Sequence, residues 1–72
     1  MPIVRIEMLE GRSPERKAEL LRRVTDAVAE SLPVRPEQVR VLLYELPPEH
    51  WAIGGRAIAP PASAPDSEGR SG

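Results

Sequence analysis

A chain of 72 residues with 10 basic and 11 acidic side chains, no cysteine and a single histidine is small, nearly neutral and without covalent staples. That balance excludes a disulfide framework, a structural zinc site of Cys and His ligands, and an electrostatic grip on nucleic acid or an anionic membrane. No apolar run approaches the roughly 20 residues that span a bilayer and no signal-peptide pattern is present, so one soluble, cytoplasmic domain is expected.

Residues 2–9 (PIVRIEML) are rich in β-branched and apolar side chains and predict a strand. Glu10-Gly11-Arg12 reads as a turn. Ser13 is then a good helix N-cap, Pro14 a good first helical residue, and Glu15 suits the positive end of the helix dipole. Leu20, Leu21, Val24, Ala27, Val28 and Leu32 recur at helical spacing and predict an apolar stripe. Arg16, Lys17, Glu19, Arg22, Arg23, Asp26 and Glu30 fall on the opposite side, where their charges cancel, and read as a solvated face. Pro33 and Pro36 end the helix. Residues 38–46 (QVRVLLYEL) predict a second strand stopped by Pro47-Pro48, and residues 50–58 a short hairpin about Gly54-Gly55. From Ala59 onward, Pro, Ser, Ala and Gly dominate, and residues 59–72 are expected to form a disordered tail.

Strand, helix and strand over this length make a βαβ unit, an α/β arrangement with two parallel strands and a right-handed crossover. One helix covers one face of a two-stranded sheet. Yet Val4, Ile6 and Met8 alternate with Ile3 and Leu9, while Val39, Val41 and Leu43 alternate with Leu42, Tyr44 and Leu46, so both faces are apolar. Parallel sheets are normally buried on both sides, and the uncovered face predicts a homo-oligomer.

Familiar catalytic motifs are missing: there is no paired-carboxylate motif, nucleophile elbow, phosphate loop or metal-ligand cluster. What remains is Pro2. If Met1 is removed, its nitrogen becomes a free secondary amine anchored on a strand, able to take and return protons. Arg12 lies in the turn after the first strand. Arg40 interrupts the second, where a charge on a sheet face reaches solvent, a carboxylate partner or a bound anion. Trp51 falls in a loop, either packing at a subunit contact or walling a small pocket against water. His50 reads as a surface residue and Tyr44 as packing.

Pro2-Ile3-Val4, Met8-Leu9-Glu10-Gly11-Arg12-Ser13, Val39-Arg40-Val41 and His50-Trp51-Ala52-Ile53-Gly54-Gly55, in this order and spacing, resemble the 4-oxalocrotonate tautomerase family over residues 2–58. The resemblance implies a tautomerase-like βαβ domain over residues 1–58 that dimerises and assembles into a hexamer, with active sites at subunit boundaries. It implies Pro2 as the catalytic proline, Arg12 and Arg40 as substrate-binding arginines, and Trp51 at an apolar position often held by phenylalanine. The activity implied is a cofactor-independent shift of a proton in a small carboxylate-bearing enol, 2-hydroxymuconate-like, to give the conjugated ketone. A hydratase or dehalogenase using the same proline, and a non-catalytic oligomeric binding module, are the alternatives.

Overall fold

The computed structural model describes residues 1–58. The stretch 59–72, expected as a disordered tail, lies outside the described residues. Strand β1 (Ile3–Leu9) leads into helix α1 (Pro14–Ser31), and strand β2 (Arg40–Leu46) returns parallel to β1. A hairpin of β3 (Ala52–Ile53) and β4 (Arg56–Ala57) follows. This is the expected βαβ protomer with two parallel strands, one helix and a short hairpin. No helix among the described residues is long and apolar enough to cross a membrane.

Local chemistry sets the element boundaries. The Ser13 hydroxyl accepts from the Arg16 N–H at 3.2 Å and Pro14 opens the first turn of α1. The helix closes where the Leu32 N–H donates to the Val28 carbonyl at 3.0 Å and the Val34 N–H to the Ala29 carbonyl at 3.1 Å. Pro33 there carries a φ of 23°. The second strand begins at Arg40 rather than Gln38, because Pro36–Gln38 form a 3₁₀ turn. The Gln38 side-chain oxygen accepts from the Arg35 N–H at 3.1 Å, and the Val39 N–H donates to the Pro36 carbonyl at 3.0 Å. In the hairpin, Gly54 and Gly55 take φ of 62° and 84°, the pair of positive values that a two-residue turn between twisted strands requires.

Register pairs Ile3 with Arg40, Ile6 with Leu43 and Leu9 with Leu46. Side chains alternate across the sheet. Val4, Ile6, Met8, Val41 and Leu43 are half-buried beneath α1, where Val39 and Ala29 form the buried centre of the described residues. Several helix assignments change. Ala27, expected in the apolar stripe, is exposed, and Ala29 is buried in its stead with Thr25 half-buried, so the covered stripe is rotated toward the Thr25 side. Lys17, expected on the solvated face, is half-buried and its Nζ donates to Glu45 Oε1 at 3.0 Å, tying the first turns of α1 to the end of β2. Leu32, expected to complete the apolar stripe, is instead the C-cap residue and is exposed, because the stripe ends with the helix.

The other face of the sheet is bare in the protomer. Ile3 is 60% exposed, Tyr44 46% and Leu42 39%, beside exposed Arg5, Glu7 and Arg40. The two-sided apolar pattern of the strands thus corresponds to one face packed on α1 and one face open.

Candidate functional site

Pro2 precedes β1 and lacks the N–H that would extend the ladder; its carbonyl accepts from the Arg40 N–H at 3.0 Å. That bond starts the parallel pairing and sets the first residue of β2 beside the amino terminus. Pro2 is half-buried, while Met1 is 76% exposed, so the Met1–Pro2 bond lies at the surface.

Arg40 is exposed in the protomer. Its Nη1 donates to the Glu37 carbonyl at 3.0 Å, a bond made possible by the 3₁₀ turn just upstream. Among the described residues it has no carboxylate partner. The guanidinium is therefore steadied by its own backbone yet keeps its charge and most of its donors free for an anion.

Arg12 is built in a similar way at the opposite end. Its Nη1 donates to the Leu9 carbonyl at 3.2 Å, the side chain is exposed, and no carboxylate among the described residues neutralises it. The Glu10 N–H donates to the Leu46 carbonyl at 3.0 Å, closing the sheet at this end. Trp51 leaves from the same end. Beyond Leu46 the chain enters a 3₁₀ turn at Pro48–His50, and the half-buried Trp51 caps it through its N–H to the Pro48 carbonyl at 3.2 Å. Its carbonyl accepts from the Ile58 N–H at 2.9 Å, which pins the base of the hairpin.

The fold thus brings Pro2 and Arg40 together and keeps Arg12 away. β1 spans seven residues, and at about 3.3 Å per residue its two ends stand roughly 20 Å apart. No pocket closes around either end among the described residues. Each end carries half of the chemistry: a proline and a guanidinium at one, a guanidinium and the chain leading to a large aromatic at the other. His50 and Tyr44 are exposed, His50 on the 3₁₀ turn and Tyr44 on the open sheet face.

A family model described as tautomerase enzyme matches residues 2–59. A probable tautomerase of Halalkalibacterium halodurans is 46% identical over 59 residues, covering 82% of this chain and 97% of that protein. A 2-hydroxymuconate tautomerase of a Pseudomonas species, strain CF600, is 47% identical over 55 residues, covering 76% and 87%. Among solved structures, a heterohexamer 4-oxalocrotonate tautomerase from Chloroflexus aurantiacus superposes with a TM-score of 0.77 at 47% identity, covering 83% of this chain and 97% of that one. TomN, a homologue in the tomaymycin biosynthetic pathway, superposes with a TM-score of 0.78 at 44% identity, covering 89% and 98%.

Proposed function

The chain belongs to the tautomerase enzyme family, and from that premise we propose that it is a cofactor-independent isomerase of a small carboxylate-bearing enol or dienol, 2-hydroxymuconate-like, with Pro2 as general base. The observation that carries this reading is the 3.0 Å bond from the Arg40 N–H to the Pro2 carbonyl, which sets the backbone of an arginine without a carboxylate partner among the described residues beside the chain's first imino acid.

With Met1 removed, the Pro2 nitrogen is a secondary amine. A free α-amine titrates near about 7.7–8.0, and neighbouring guanidinium charge and apolar cover both disfavour its ammonium form, so a useful share is neutral at pH 7. The neutral amine takes the enol hydroxyl proton: the O–H bond breaks and charge spreads over the dienolate. Returning the proton to a carbon forms a C–H bond and leaves a ketone conjugated to the remaining double bond. Arg40 holds a carboxylate or the developing oxyanion through charge-assisted hydrogen bonds. Arg12, distant in its own protomer, serves the site of a neighbouring copy, as does Trp51, whose indole walls the site against water.

The bare sheet face and the outer edges of β1 and β2, unpaired among the described residues, support this shared site. Face and edges need different neighbours, so a dimer leaves one of them uncovered, and we assign a hexamer built from dimers. The relatives act in different settings, one named for 2-hydroxymuconate and another placed in tomaymycin biosynthesis, which leaves a biosynthetic enol as the second candidate substrate. The test is to follow ketonisation of 2-hydroxymuconate by ultraviolet absorbance while reading the amino terminus by mass spectrometry. Turnover by a chain that begins at Pro2 is expected. Retained Met1 in an active preparation, or an inert chain that begins at Pro2, overturns the substrate and base assignments.

A further inference from the structure

We infer that Arg56 is a specificity-determining residue: from the hairpin face that carries Trp51, its guanidinium takes the substrate carboxylate lying farthest from the reacting enol. The inference deepens the proposed function and rests on it for one point, that Trp51 walls the site of a neighbouring copy.

The hairpin is a frame of three rungs. Ala52 pairs with Ala57 and Ile53 with Arg56. The Ile58 N–H, donating to the Trp51 carbonyl at 2.9 Å, adds the third, Trp51 with Ile58. Trp51 is itself extended, with φ of −118° and ψ of 111°, so strand alternation continues through it. Residues directly opposite each other in an antiparallel pair share a face, and neighbours along a strand take opposite faces. Trp51, Ile53, Arg56 and Ile58 therefore stand on one face of the hairpin, and Ala52 and Ala57 on the other.

The two faces differ in chemistry. One offers only methyl groups; the other offers an indole, two branched aliphatic side chains and a single cation. Arg56 lies diagonally across from Trp51, where Cβ atoms stand about 7–8 Å apart, within reach of an aromatic and a long side chain. A molecule laid against the indole is thus within range of the guanidinium. Arg56 is exposed and has no carboxylate partner among the described residues, and Glu49 on the adjoining 3₁₀ turn does not bond it. In this it differs from Arg22 and Arg23, which Glu19 already engages.

Charge and shape together select the ligand. A flat conjugated chain covers the indole and the aliphatic side chains, and a carboxylate at its far end meets the guanidinium through charge-assisted hydrogen bonds. A chain ending in a methyl group matches the apolar part but leaves the covered cation unpaired, which is costly. The hairpin face therefore favours a conjugated diacid over the matching monoacid. In a 2-hydroxymuconate-like dienol, the enol and the carboxylate beside it fall to Pro2 and Arg40. The remote carboxylate is left for groups from the opposite end of a protomer, where Arg56 joins Arg12.

Trp51 is the chain's single tryptophan, so its fluorescence reports binding without turnover. The probes are trans,trans-muconate and sorbate, the same six-carbon diene ending in a second carboxylate or in a methyl group, with calorimetry as a parallel measurement. The native chain is expected to bind muconate about tenfold or more tighter than sorbate. Arg56→Ala is expected to weaken muconate about tenfold and sorbate less than about twofold, and Arg56→Lys to recover part of the loss. On 2-hydroxymuconate, Arg56→Ala is expected to act on KM more than on kcat. Equal losses on both probes, no loss on either, or a native chain that binds the two alike overturns the inference. A chain inert toward 2-hydroxymuconate that keeps the Arg56-dependent preference overturns the proposed activity and leaves this residue's assignment standing. Turnover without that preference does the reverse.

Discussion

Pro2 does its proposed work only through one nitrogen, so its replacement is the sharpest probe. Pro2→Ala substitutes a primary amine on a less constrained backbone and is expected to lower kcat at least about a hundredfold, in the range that general acid–base catalysis contributes. With native protein, kcat/KM is expected to rise with pH through the amine pKa and level off above it, since the unprotonated base is the active form. A rate independent of pH between 5 and 9 contradicts this. Arg40 is expected to behave differently. Arg40→Ala removes a charge-assisted donor and should lower kcat/KM on the order of tenfold to a hundredfold, while Arg40→Lys keeps charge but loses the planar fork and the brace on the Glu37 carbonyl. Steady-state kinetics of the three variants separate a lost base from a lost anchor.

At the scale of elements, the Lys17–Glu45 bond is the point to probe. With side chains 29% and 27% exposed, this ion pair is shielded more than the helix-surface pairs. Lys17→Ala strands the Glu45 carboxylate under the helix and is expected to cost on the order of 1 kcal/mol by denaturant unfolding. The cluster around Glu19 acts in the open. Hydrogen bonds from Arg22 and then Arg23 lower the Glu19 carboxyl from its ordinary 4.5. Its contribution is therefore present above that value and fades as acid is added below it, and its place on the helix surface keeps it small.

Most of these elements were legible in the sequence because short-range chemistry specifies them. Ser13-Pro14 starts α1, Gly54-Gly55 turns the hairpin, and two-sided apolar alternation marks the strands. What the sequence concealed depends on contacts between elements. Nothing local told Lys17 from its charged neighbours; only β2 arriving parallel put Glu45 under it. The 3₁₀ turn that shortens β2 depends on the Gln38 side chain reaching back to Arg35, a bond no periodicity announces. Pro2, Arg12 and Arg40 were identifiable as residues, but their distribution over two ends follows from register.

For the whole molecule, a protomer that buries only Ala29 and Val39 among its described residues has too small a core to be the working unit. Specific activity per chain is expected to fall on dilution through the association range, with sedimentation reporting the same midpoint. A constant specific activity down to the monomeric range contradicts a site shared between copies.

The separation of the two guanidinium ends along β1 makes genetic complementation possible within a single enzyme. On the proposed shared site, Pro2→Ala and Arg12→Ala, each expected to be strongly impaired alone, damage different halves of every catalytic centre. A pair holding one of each concentrates both lesions at one end and regenerates an intact centre at the other, so random mixing should recover about a quarter of native turnover. Two dead preparations, combined in one tube, should come back to life.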